Sequence, residues 1–247
     1  MGVVFNNSRV ITSGRLLTPS VGSTTPGVVT SGLVFYLDAG NASSYPGTGT
    51  SWFDLSGLGN TFTLQNSPTY GATGGGSFLF NGSNNSAIIA AGTNASYTSA
   101  TFIVIVEAVG TFLTSTGLIF SPGTGGASIA GTTQGSTGNI KFNWNDDPTS
   151  YNNASGLTIP GGTTGWAYVA VSVSPTLTTY CVNNTFTTFV YTPTTITLGS
   201  GLTVGNDSRF ASRLFNGYVA VAMMYNTALS QTDLTQNYNY YKTRFGI

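Results

Sequence analysis

Seven carboxylates, Asp38, Asp54, Glu107, Asp146, Asp147, Asp207 and Asp233, are the side chains here that could do general acid–base work, because the 247 residues include no histidine. Histidine moves protons near neutral pH and is the commonest nitrogen ligand for transition metals. Its absence excludes Ser-His-Asp and Cys-His nucleophile systems and the usual zinc sites. Cleaving a glycosidic bond needs two carboxyl groups roughly 5–10 Å apart. Glu107 is followed by Ala108 and Val109, so no second carboxylate follows it along its strand-like stretch. Asp146 and Asp147 are adjacent and would splay to opposite faces of a strand, so they read as a turn into Pro148. On these grounds the chain is expected not to be an enzyme, and glycoside hydrolysis through Glu107 is the least favoured function.

Two constellations could bind without reacting. Trp144, Asp146, Asp147 and Tyr151, interleaved with Asn145, Asn152 and Asn153, bring aromatic rings, amides and carboxylates into ten residues. That mixture suits a glycan, which offers hydroxyls to planar polar groups and an apolar face to a ring. The competing reading places Trp144 in the core, since Ile140, Phe142 and Trp144 share one face of an alternating strand. Asn206 and Asp207 are the best-placed oxygen pair for calcium, which takes about six to eight oxygen ligands. No spacing marks a dedicated loop for it, and no other cofactor is implied. The alternative for Asp38, Asp54 and Asp207 is to accept backbone N–H bonds within turns. Cys181, alone between Tyr180 and Val182, is expected to be a buried, inert thiol.

Charged residues make up 6% of the chain, against a usual share of about a quarter. Seven basic and seven acidic residues cancel, which removes the electrostatic footprint of a nucleic-acid partner. Apolar runs break well before bilayer length, so no membrane span is expected. Met1 to Val10 lacks a basic region followed by an apolar stretch, which argues against a secretory signal. A charge-poor, neutral surface favours association with neighbours.

The elements that must position these residues read as strands. Residues 1–31 stand apart as an N-terminal arm with a Pro/Gly/Ser/Thr run from Thr18 to Gly27. The arm carries Val3, Val4, Phe5, Val10, Ile11, Leu16 and Leu17, too many apolar side chains for a freely solvated tail. It is expected to pack on a neighbouring subunit and help form a homo-oligomer. Residues 32–247 read as one all-β domain, with short strands between turn clusters. Segments 101–106, 166–173 and 218–224 are apolar on both faces and should be central strands. Asn183-Asn184 reads as a tight hairpin turn. One helix is predicted, from a Ser230–Asp233 capping box through the stripe Leu234, Tyr238, Tyr241 and Phe245 to Gly246.

The segments Ser31-Gly32-Leu33-Val34-Phe35-Tyr36-Leu37-Asp38-Ala39-Gly40-Asn41 and Ser51-Trp52-Phe53-Asp54-Leu55-Ser56-Gly57, with Phe215 to Ser230 and the helix, resemble the concanavalin A-like lectin/glucanase superfamily. The form is the laminin-G-like one found in phage and virus structural proteins. Ser77 to Gly82 and Leu202 to Asp207 match two further strands of that pattern. The resemblance implies a two-sheet antiparallel jelly-roll sandwich with a short C-terminal helix and adjacent first and last strands. Its hydrolases carry a Glu-x-Asp-x-x-Glu type strand that Glu107 does not continue, and its lectins bind calcium through loop oxygens. Function does not follow from fold. The leading expectation is a non-catalytic virion structural protein, a capsid decoration or tail-fibre component, with capsid or tail proteins and itself as partners, the arm packing on a capsid surface or a neighbouring subunit in a homo-oligomer that is a trimer by analogy with decoration proteins. The alternative is a carbohydrate-binding adhesion module.

Overall fold

In the strand from Ala100 to Ala108, Phe102, Val104 and Val106 enter one apolar cluster, while Ile103 and Ile105 enter another. Side chains of a strand alternate between faces, so this strand is covered on both sides and fixes a layered architecture. The computed structural model describes residues 26–88, 95–109, 116–122, 129–135, 137–160, 165–198, 202–206 and 213–247. The arm residues Val3, Val4, Phe5, Val10, Ile11, Leu16 and Leu17 lie outside the described residues, as does Asp207.

The elements follow in the order β1 (Leu33–Asp38), β2 (Ser51–Trp52), β3 (Phe62–Gln65), β4 (Thr69–Gly71), β5 (Ser77–Asn81), β6 (Ser86–Ile88), β7 (Ser96–Tyr97), β8 (Ala100–Ala108) and β9 (Thr116–Pro122). Then come β10 (Ile129–Gln134), β11 (Ile140–Trp144), the one-turn helix α1 (Pro148–Tyr151), β12 (Ala167–Val173), β13 (Leu177–Val182), β14 (Thr185–Val190), β15 (Ile196–Thr197), β16 (Thr203–Val204), β17 (Asn216–Tyr225) and α2 (Gln231–Phe245). Among the described residues one sheet runs β14-β13-β12-β8-β17-β5-β4, with β1 also on β17, and the facing sheet runs β11-β10-β9-β16-β6-β3-β2. Every pairing is antiparallel, and β1 lies beside β17, as expected for this fold. The doubly apolar segments are the central strands β8, β12 and β17. The two sheets close on a core that includes Phe35, Phe62, Phe78, Phe80, Phe102, Phe142 and Trp144.

Alternation breaks once in β17. The register shifts between Val219 and Val221, and Ala220 and Val221 both join the outer cluster before Ala222 returns to the inner one. This bulge inserts one residue and turns the strand against its partners. The carbonyl it presents, that of Ala220, accepts from the N–H of Ala39 at 2.8 Å.

α2 covers the outer face of the first sheet through Leu234, Tyr241 and Phe245. Ser230 and Asp233 form the capping box and Gly246 ends the helix at φ 67°, where a side chain would be strained. Arg244 fastens the far end, donating to Asp38 at 2.7 Å and to the carbonyls of Gly74 (2.8 Å) and Gly76 (3.1 Å). Gly74 sits at φ 61°, and a Cβ there would run into the Trp166 ring, so the loop needs glycine. Gly27 and Val29, on the arm side of the expected 31/32 boundary, are held on the same helix. The Gly27 carbonyl accepts from Gln236 at 2.8 Å, and Val29 N–H donates to the buried Asn237 Oδ1 at 2.7 Å.

Candidate functional site

β11 delivers the candidate residues to one end of the second sheet. Ile140, Phe142 and Trp144 point inward and are buried, so Trp144 is a core residue and not an exposed platform. Its indole N–H donates to the Thr194 carbonyl at 2.7 Å, which satisfies the only polar atom of the ring. This corrects the assignment of Trp144 as a glycan-binding ring. The cause is the period of β11, which puts the tryptophan on the same face as Phe142.

Past Trp144 the chain reverses through Asn145 (φ 56°) and Asp146 (φ 54°), a left-handed pair that Asn and Asp tolerate better than other side chains. The Asn143 amide donates to Asp146 Oδ1 and its carbonyl accepts the Asp146 N–H, both at 3.1 Å. Asn145 Nδ2 reaches Thr194 Oγ1 at 2.8 Å. Asp147 caps α1, accepting from Thr149 N–H at 2.9 Å, with Pro148 at the first helical position. Its other oxygen accepts from the Tyr191 hydroxyl at 2.9 Å. The backbone N–H of Thr149 and then that hydroxyl hold the Asp147 carboxyl below the usual carboxylate range against a smaller opposing effect of burial. Burial first, and the bond to Asp147 second, push the Tyr191 hydroxyl up. Tyr151 ends α1 half-buried, and Asn152 beside it is exposed. Beneath, Asn153 Oδ1 accepts from the Tyr180 hydroxyl at 3.0 Å.

The structure therefore gathers Asn145, Asp146, Asp147, Tyr151 and Asn152 on one pinned loop. It adds Tyr191 and Thr194, which sequence reasoning missed. They follow β14, more than forty positions downstream of Trp144, and only the packing of that segment brings them to the loop.

The other candidates stand apart from this loop. Asp54 accepts from the N–H groups of Tyr36, Ser56 and Asn60, and Asp38 from that of Gly40 besides Arg244, so both hold turns. Glu107 is half-buried next to the end of the central strand β8, opposite Tyr218, on the face shared with Ile103 and Ile105. Among the described residues no three or more Asp, Glu, Cys or His side chains form a group that could hold a metal ion, and no helix is long and apolar enough to cross a membrane. Asn206, of the expected calcium pair, is half-buried. Its Oδ1 is enclosed, with no hydrogen-bond partner among the described residues. Cys181 is buried, and burial pushes its thiol up to about 12.

No protein-family model matches the chain, and no curated protein matches it by sequence. Solved structures do match in fold. Domain 4 of AbnA, a GH43 extracellular arabinanase from Geobacillus stearothermophilus in complex with arabinotriose, aligns with a TM-score of 0.63 at 16% identity, over 83% of this chain and 97% of that one. The binding domain of botulinum neurotoxin DC in complex with SialylT aligns at 0.63 and 13% identity, over 86% of this chain and 52% of that one. Trypanosoma rangeli sialidase in complex with sialic acid aligns at 0.62 and 14% identity, over 96% of this chain and 36% of that one. The chain thus spans about a third of the sialidase and half of the toxin chain. None of these three is a capsid or tail protein, and the phage context of the resemblance draws no support from them. The expectation that the chain is not an enzyme is corrected, because the same sandwich occurs within an arabinanase and a sialidase. What these likenesses share with this chain is the fold, an all-β sandwich of two antiparallel sheets.

Proposed function

We propose that this chain is a glycan-binding β-sandwich domain, the alternative reading of the sequence now preferred over a virion structural role. The observation that carries it is the alignment over nearly the whole of an arabinanase domain that was solved with arabinotriose. The loop built on Asn145, Asp146, Tyr151 and Asn152 supplies the chemistry. Amide and carboxylate oxygens can accept from sugar hydroxyls, amide N–H groups can donate, and the Tyr151 ring offers a face for the apolar side of a sugar. Tyr191 and Thr194 hold the loop before a ligand arrives, which lowers the entropic cost of binding. Residues 143–153 carry two carboxylates and no Lys or Arg, so the ligand is a neutral oligosaccharide and not a sialylated one.

Calorimetric titration with arabinotriose and other neutral oligosaccharides, beside a sialylated one, tests this. Neutral sugars should bind, and Tyr151→Ala should weaken them at least about tenfold, near 1.4 kcal/mol, with the thermal melt unchanged. Asp146→Asn, which keeps a residue tolerant of φ 54°, should weaken binding less. Absence of binding to any glycan at millimolar concentration overturns the proposal, and binding that survives Tyr151→Ala moves the site elsewhere.

A further inference from the structure

The first sheet ends at β14, and among the described residues no strand pairs with its outer edge. Tyr191 N–H donates to the Thr176 carbonyl at 3.2 Å, and the β13 register runs without a shift from Leu177↔Val190 to Val182↔Thr185. Antiparallel pairs alternate between bonded and non-bonded. Thr185, Thr187 and Phe189 therefore direct their backbone groups at β13, while the N–H and C=O groups of Phe186, Thr188 and Val190 point outward. Among the described residues nothing hydrogen-bonds to those six groups. The other edges of the two sheets are shielded, that of β1 by Asp54 and Leu55, which bond the Tyr36 N–H and carbonyl. β2 and β4 are two and three residues long, and β11 is covered by chain 155–159, with Ile140 N–H donating to Leu157 and its carbonyl accepting from Ser155. β14 has six residues, no charge, no proline and no bulge, so it lacks the usual protections of an exposed edge. Val190, 79% exposed, is the most exposed large apolar side chain among the described residues.

We infer that β14 pairs antiparallel with β14 of a second copy of this chain, joining two first sheets into one continuous sheet. A two-fold axis through Thr188 sets Thr188 opposite Thr188 of the partner subunit and Phe186 opposite Val190 of the partner subunit. In that register all six outward groups on each side find partners. Phe186 and Val190 leave the same face of the strand, so each Val190 is covered by a phenylalanine. The sequence Thr-Phe-Thr-Thr-Phe-Val is uncharged, so like meets like without repulsion. The contact is isologous and closes at two copies. An edge of this length buries less than the roughly 1,200 Å² of a standard interface, which puts the contact in the class of weak, transient ones, so the equilibrium is sought from micromolar to hundreds of micromolar.

Sedimentation velocity of the full chain from about 1 to 300 µM should show that equilibrium. Thr188→Pro removes the central outward N–H at an edge position where proline is tolerated, and Val190→Lys puts a charge on the joint. Each should weaken dimerisation at least about tenfold, with the thermal melt and circular dichroism unchanged. Amide exchange at Thr188 and Val190 should slow as protein concentration rises. A chain monomeric throughout, or a dimer untouched by both substitutions, overturns the inference. So does protection of these amides that is independent of concentration, since the edge would then be occupied by a segment of its own chain.

Discussion

Replacing Asp38 by Asn tests whether the C-terminal helix is held by a charge pair or by apolar packing alone. The Asp38 side chain is 7% exposed and that of Arg244 23%. The carboxylate accepts from Arg244 Nη1 (2.7 Å), Gly40 N–H (2.9 Å) and the Tyr241 hydroxyl (3.2 Å), and Tyr241 bonds in turn to the Tyr36 hydroxyl. Asn keeps the shape and removes the charge. Breaking a buried pair costs about 3–5 kcal/mol. Arg244 keeps the Gly74 and Gly76 carbonyls and some contact with water, which lowers the expected loss to about 2–3 kcal/mol. Arg244→Met should cost about as much. The double variant should cost less than the sum by about 1.5–3 kcal/mol, because it leaves no unpaired charge. Urea unfolding followed by tryptophan fluorescence is the assay, since Trp166 packs 4.8 Å from the Phe245 ring at the helix end. Equal slopes against urea are required for the comparison. A loss below about 1 kcal/mol for Asp38→Asn, or strict additivity of the two substitutions, would refute the reasoning and leave the helix to its apolar stripe.

The Cys181 thiol, pushed up to about 12 by burial, should resist iodoacetamide at pH 8 in the folded protein and react within minutes in urea; full native labelling would show that β13 opens. The Asp147 carboxyl, held below its ordinary value of 3.8, contributes stability that is present above that value and lost as pH falls through the lower folded one. Asp147→Asn should therefore flatten the stability–pH curve below about pH 4, and an unchanged curve would show that the cap bonds do not favour the charged form. Trp144→Phe removes the 2.7 Å bond to the Thr194 carbonyl and should cost about 1–3 kcal/mol in a urea melt, whereas a change below about 0.5 kcal/mol would show that water replaces the indole.

Local chemistry made much of this fold legible. The helix was readable because its signals are contiguous: Ser230 and Asp233 cap it, and Leu234, Tyr241 and Phe245 of the stripe are buried. The hairpin turn was readable because only a few residues tolerate positive φ, and Asn183 and Asn184 take 45° and 63°. Period 2 in β11 assigned Trp144 to the core over the glycan reading. Contacts between distant segments were not legible. Asp38 and Arg244 are 206 positions apart, and nothing at either site names the other. Asn237, three residues after Leu234 and four before Tyr241, shares their buried face, but its polarity hid this; it is wholly buried because it takes Val29 N–H and donates to the Tyr225 hydroxyl at 3.1 Å. The bulge at Val219–Val221 leaves no mark in a sequence that is apolar throughout.

The same distinction separates the frame from the candidate site. β8, β12 and β17 are sealed on one face by the second sheet and on the other by α2 or the residues around it. Substitution there disturbs close packing, so these strands are poor places for a ligand to make new contacts. The loop after β11 has a different economy of bonds. Its backbone is fixed by side chains, Asn143 to Asp146, Asn145 to Thr194 and Asp147 to Tyr191, while Asp146 and Asn152 face solvent. Such a loop holds its geometry before a ligand arrives. β14 runs directly into Tyr191, so the edge proposed to pair and the loop proposed to bind share one segment. About a two-fold axis at Thr188 the two copies of Tyr191 would stand roughly 20 Å apart along the strand, six residues at about 3.3 Å each. Two sites at that spacing raise the effective concentration of a polymeric ligand after the first contact. A weak site for a neutral sugar gains from such pairing, and the uncharged edge that leaves β14 unprotected is the feature that would supply it.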